Sequence, residues 1–170
     1  KKIKKINFIF ESAKNKFNFK EIIFDKNKIN FLSDRLGIKK NKKDYLFEWS
    51  LRNKKSVLND QILQIIKLKY PQFDLINTNF ESENDFTFNI NDKFKVKNLA
   101  INSSILINSS QLQRNNLIDK NFIEINEFID LKDHEIKASY ANKKLSIEGK
   151  GQVKLKNKFE LIDYKVANKG

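Results

Sequence analysis

The stretch IKASYANKKLSIEGKGQVKL, residues 136–155, decides the fold class. Ile136, Ala138 and Tyr140 are apolar at every second position, and Leu145 and Ile147 resume that rhythm after Ala141-Asn142-Lys143-Lys144. A period of two puts successive side chains on opposite faces of an extended chain, so the stretch reads as two strands joined by a tight turn. Gly149-Lys150-Gly151 interrupts the alternation before Val153 and Leu155 continue it. Glycines inside a strand usually mark a bulge or a sharp bend, and one is expected here.

Working outward, the same rhythm recurs. Lys156-Asn157-Lys158 turns the chain toward Phe159, Leu161, Tyr164 and Val166. Upstream, Phe86, Phe88 and Ile90 lead through Asn91-Asp92 to Phe94 and Val96, followed by short strands at Leu99–Ile101 and Ile105–Ile107. In the first third, Phe17, Phe19, Glu21 and Ile23 alternate with Asn18, Lys20, Ile22 and Phe24. Asp25-Lys26-Asn27-Lys28 reads as a hairpin turn because Asp and Asn tolerate the backbone angles it needs. Lys28–Leu32 and Tyr45–Leu51 are further strands. The expected strands are about five to eight residues long. One helix interrupts them: Ser56 caps it, Leu58, Ile62, Ile65 and Ile66 keep helical spacing, and Pro71 stops it. A second helical or irregular piece is expected over Leu117–Phe128. The organisation is thus a basic β-hairpin region over 1–55, a helix over 56–71 and a β-meander over 72–170 of the same domain.

The chain has 170 residues and a formal charge of +13, with 39% hydrophobic and 12% aromatic residues, so a packed core is expected. It has no Cys, which removes disulfides, thiolate zinc sites and Cys nucleophiles. It opens Lys1-Lys2-Ile3 without Met, as a processed chain or an excerpt of a longer one would. No stretch reaches the ~18 consecutive apolar residues of a membrane-spanning helix. The composition of 31 Lys, 23 Asn and 22 Ile follows AT-rich codons, and only three Arg are present. Arg is the residue that forks onto phosphates and bases, so the high charge is a weak argument for nucleic acid.

The charge is unevenly spread. Residues 1–55 hold 17 basic and 6 acidic side chains, against 17 and 15 in the remainder. Such asymmetry points to an anionic partner, although lysines that keep edge strands soluble give the same field. Lys39, Lys40, Lys42 and Lys43 form a basic turn suited to an anionic membrane surface.

Sites for chemistry are sparse. His134, the only histidine, lies in DLKDHE at a strand start and is expected to face solvent. Neighbouring Asp133 and Glu135 would point to the other face of the strand, so the three cannot converge on a metal. No nucleophile elbow, phosphate loop or dinucleotide fingerprint is present. Glu81-Ser82-Glu83-Asn84-Asp85 reads as an acidic solvated loop. In Lys93–Lys97, strand alternation would separate the aromatic from the lysines, which disfavours stacking on single-stranded nucleic acid. No enzymatic activity, metal or cofactor is expected.

The segments YANKKLSIEGKGQVKLK, residues 140–156, and FKVKNLAI, residues 94–101, resemble the repeating β-layers of AsmA-like and TamB-like bacterial envelope proteins. The likeness is best over residues 73–166 and looser over 17–52, and the expected helix departs from it. It implies a curled sheet, part of an elongated β-groove in the periplasm. The full-length protein would be anchored in the inner membrane of a Gram-negative, low-GC bacterium. It further implies a role in lipid transfer between membranes or outer-membrane assembly, with phospholipid or another envelope lipid as passenger and neighbouring segments of the longer chain as partners. The residues assigned to the groove row are Phe86, Phe88, Phe94, Val96, Ile105, Ile107, Ile136, Ala138, Leu145, Ile147, Val153 and Leu155. The same residues would equally serve as a closed core against the helix. Two other readings stand beside this one: a basic nucleic-acid-binding module centred on residues 1–55, and a plain structural or adhesion β-domain.

Overall fold

The computed structural model describes residues 2–26, 29–58, 73–114, 128–155 and 157–168. Nine strands follow one another: β1 Lys2–Glu11, β2 Lys16–Lys26, β3 Ile29–Lys40, β4 Asp44–Val57, β5 Phe73–Asn91, β6 Val96–Arg114, β7 Phe128–Ala141, β8 Lys144–Leu155 and β9 Lys158–Asn168. Each pairs antiparallel with its neighbours in sequence, in the order β1 to β9, so a single sheet is built as an uninterrupted meander. The sheet does not close into a barrel.

The meander expected from the alternation is therefore present, with longer strands than the sequence suggests. Leu99–Ile101 and Ile105–Ile107 are not separate strands but parts of the 19-residue β6. Glu81–Asp85 is not a loop but the middle of β5, where Glu81, Glu83 and Asp85 share one face and Ser82 and Asn84 the other. The helix expected over 56–71 is not confirmed: Ser56 and Val57 end β4, and residues 59–72 lie outside the described ones. The piece expected over 117–128 also lies outside them, except that Phe128 opens β7. Among the described residues the one helical element is a 3-10 turn, Ser12–Lys14.

Strand alternation is broken at a series of one-residue bulges, each visible as a step in the pairing register. One falls at Glu21 on β2, where Lys5 pairs with Ile23 and Asn7 with Lys20. Others fall at Ser33-Asp34 on β3, Lys54-Lys55 on β4, Asn77-Thr78 on β5, Asn98 and Asn108 on β6, and Asp133 on β7. Glu21, Asn77, Asn98 and Asp133 have positive φ, at 46–53°. A bulge inserts a residue without a partner and returns the alternation to phase on its far side. This explains why Ile22 and Phe24, rather than Glu21 and Ile23, share a face with Phe17 and Phe19.

Burial is shallow. Among the described residues only Ile22, Ile29, Ile107 and Val153 are buried apolar side chains. The chain exposes 12729 Å², whereas a compact monomer of this mass exposes about 8,700 Å². The expected packed core is absent from the described residues, which form no second layer over the sheet.

Candidate functional face

Pairing registers assign every strand residue to a face, since directly opposed residues lie on the same side. One face is apolar from β1 to β9. It carries Phe8, Phe10, Phe17, Phe19, Phe24 and Phe31 on the first three strands, then Phe47, Trp49, Phe86 and Phe88 on β4 and β5. It continues through Ile101, Ile105, Ile136 and Ala138 to Leu145, Ile147 and Val166. Opposed rings meet across the strands: Phe10 and Phe17 have centroids 4.4 Å apart, Phe24 and Phe31 5.3 Å, and Phe47 and Phe88 5.0 Å with planes 4° from parallel. Trp49 and Phe86 lie 5.5 Å apart. Such pairs are worth about 0.5–1.5 kcal/mol beyond the area they bury.

Of the sequence-assigned groove residues, Phe86, Phe88, Val96, Ile105, Ile107, Ile136, Ala138, Leu145, Ile147 and Val153 all lie on this face, and Leu155 holds the matching backbone position. Phe94 does not. It sits in the turn before β6 at φ 55° and is 90% exposed, because Asn91 draws the turn around itself. The Asn91 side-chain oxygen accepts the Lys93 and Lys95 N–H groups, and its carbonyl accepts that of Phe94. The face also reaches further than expected. Phe17, Phe19, Ile22, Phe24, Phe31, Leu36 and Phe47 extend it through the first third of the chain. Their period-two rhythm is visible in the sequence, but the Glu21 bulge hides that Ile22 belongs with Phe19.

A line of small or polar residues crosses the apolar face beside the bulges: Ser33, Asn53, Ser82, Thr78, Ser110 and His134 are all buried. Apart from His134, these residues bond to one another or to neighbouring groups of the sheet. Trp49 Nε1–H donates to Ser33 Oγ at 2.9 Å, Ser82 Oγ–H to Asn53 Oδ1 at 2.5 Å, and the Thr78 and Ser110 hydroxyls meet at 2.5 Å. Spent on each other, these groups offer little to a polar ligand, and the face remains apolar in character.

His134 is a correction to its expected solvent exposure. It lies within β7 and is only 3% exposed. Its Nε2 is 3.2 Å from the Tyr164 hydroxyl, and its Nδ1 is buried without a partner. Burial pushes the imidazole below its ordinary value near 6.5 and the Tyr164 phenol above its ordinary value near 10. Gly149 and Gly151 lie directly beneath these rings. A Cβ at Gly151 would stand 2.6 Å from His134 Cα, and one at Gly149 would collide with the Tyr164 ring. The glycines keep regular pairing with β9, so the expected bulge is not theirs; it lies opposite, at Asp133 on β7.

The other face is polar and laced with ion pairs. Arg52 grips Asp34 with two contacts of 2.9 Å, Arg35 pairs with Glu48, and Lys150 with Glu135 at 3.2 Å. Lys39, Lys40, Lys42 and Lys43 are exposed around the turn between β3 and β4. Among the described residues, no three His, Cys, Asp or Glu side chains converge on a metal position. The architecture thus defines a class, an open single-layer antiparallel meander with one apolar and one charged face. No family model, curated protein or solved structure matches the chain.

Proposed function

We propose that this chain is a stretch of an AsmA-like envelope protein in the periplasm, and that its apolar face carries lipid acyl chains between membranes or toward outer-membrane assembly. The observation that carries this reading is the continuous apolar row across all nine strands with no covering layer among the described residues. In water such a face is costly, and an acyl chain laid along it gains about 0.8 kcal/mol per buried methylene. The sheet would curl around the bulge line, since bulges bend and twist strands. The resulting groove would have Ser33, Ser82, Ser110 and the two glycines as its smooth floor. An even row holds no deep trap, so a passenger moves along it without any chemical step.

Native mass spectrometry and lipid extraction of the chain expressed in a Gram-negative host test this, with a nucleic-acid blank in parallel. Phospholipid should co-purify and should fall at least about tenfold in Phe88→Asp and Leu145→Asp, a loss on the scale of one buried apolar side chain. Both variants should keep the β-sheet circular dichroism of the parent. A folded parent chain that carries no lipid overturns the reading.

A further inference from the structure

Because the strands pair in sequence order and alternate in direction, the turns β1–β2, β3–β4, β5–β6 and β7–β8 all lie at one end of the sheet. The first three are contiguous there. The Lys40 N–H donates to the Asn15 carbonyl at 3.0 Å, joining the first two turns, and Asp44 pairs with Asn91, setting the third beside the second. Residues 11–16, 39–44, 91–97 and 141–144 hold eleven lysines against Glu11, Asp44 and Asp92.

General lysine richness does not account for the third turn. Residues 70–92 contain no basic side chain, and residues 98–113 contain no charge of either sign. Between them, Lys93, Lys95 and Lys97 lie beside Phe94 in the sequence. The hairpin also projects, since β6 first pairs with β7 at Ile101 opposite Tyr140, leaving Val96–Leu99 beyond the end of β7 at Ala141. Phe94 is held outward at positive φ by a turn whose backbone is tied to Asn91, so its exposure is built in rather than left over. Val96, at 55% exposed, adds apolar surface beside it.

We propose that this four-turn end docks on an anionic phospholipid bilayer, with Phe94 entering the interface and the neighbouring lysines resting on the headgroups. An exposed aromatic flanked in sequence by exposed lysines matches a membrane interface, which buries the ring and attracts each cation by about 1 kcal/mol. The rim contains no arginine, the residue best shaped to grip nucleic-acid phosphates and bases; Arg35 and Arg52 are engaged with acids within the sheet. Docked end-on, the sheet would present the mouth of its apolar face to the bilayer. The proposal does not depend on acyl-chain carriage: a chain that binds vesicles and carries no lipid keeps this inference and loses the other.

The test is co-sedimentation of the chain with vesicles of phosphatidylcholine alone or mixed with phosphatidylglycerol, at low and high salt. Binding is expected only to the mixed vesicles, and weaker at high salt. Phe94→Ser should lower affinity about tenfold, the scale of one apolar side chain buried. Lys93→Gln and Lys95→Gln should each cost about fivefold. Phe159→Ser, an exposed apolar position at the opposite end, should change nothing. As a second readout, Phe94→Cys carrying an environment-sensitive dye, the sole thiol in the chain, should shift its emission to the blue with mixed vesicles. Equal binding to both vesicle types, indifference to Phe94→Ser, or stronger binding to a single-stranded oligonucleotide than to the vesicles overturns the proposal.

Discussion

His134 and Tyr164 owe their positions to two residues with no side chain. Their rings lie 5.6 Å apart over Gly151 and Gly149, where any larger residue would push them off the sheet. Ile107 faces His134 from β6, and Asp133 and Glu135 flank it along its own strand. Burial disfavours the charged imidazole and lowers its pKa, with consequences for acid stability. Above its ordinary value near 6.5 the folded and unfolded chains bind the same number of protons at this site. Below it, the unfolded chain takes up a proton that the folded one resists, so stability should fall as pH drops through about 6.5. The carboxylates of Glu11, Glu21 and Glu148 are held below their ordinary 4.5 by hydrogen-bonded Lys14, Lys5 and Lys165, so they titrate outside this window. Urea midpoints measured at about pH 7.5 and 5.5 should decline in the parent and stay level in His134→Phe. The same decline in both would show that another group is responsible.

At the level of elements, apolar alternation was readable and its interruptions were not. The turn Asn142-Lys143 falls where the sequence places it, between paired Ala141 and Lys144. By contrast, nothing in Glu21, Asp34, Asn108 or Asp133 announces a bulge, because an inserted residue changes phase without changing composition. Phe94 failed for a related reason. Its spacing from Val96 fits a strand, but the Asn91 side chain competes for the backbone donors and keeps it in a turn. The turn at Asn142-Lys143 has both central residues at positive φ, 53° and 64°, as a type I′ hairpin requires. Glycine suits the second of these positions better than lysine does. Lys143→Gly should therefore raise stability by about 0.5–1 kcal/mol, read as a higher urea midpoint with an unchanged slope. A lower midpoint would mean that the lysine side chain contributes more than its backbone angle costs.

Taken whole, the molecule presents an imbalance between surface and core. Among the described residues, contacts of substance join only strands adjacent in sequence, so the rings from Phe10 to Phe88 shield one another sideways and no described element covers their outer surfaces. The chemistry of the face was legible in the period-two rhythm, but its extent was not, since the first third resembles the rest only once the bulge at Glu21 is counted. A sheet of this kind should be marginally stable alone and should respond to anything that covers its apolar side. A ligand that binds the folded state alone stabilises it by about 2.7 kcal/mol at a hundred times its Kd. A single-chain lysophospholipid below its micelle-forming concentration should thus raise the thermal midpoint progressively. Phe88→Asp should blunt that rise, because it places a charge in the middle of the row, whereas Phe159→Ser, on the charged face, should leave it intact. Should the midpoint fall with added lysophospholipid, or rise equally in Phe88→Asp, the apolar row would not be where the amphiphile binds.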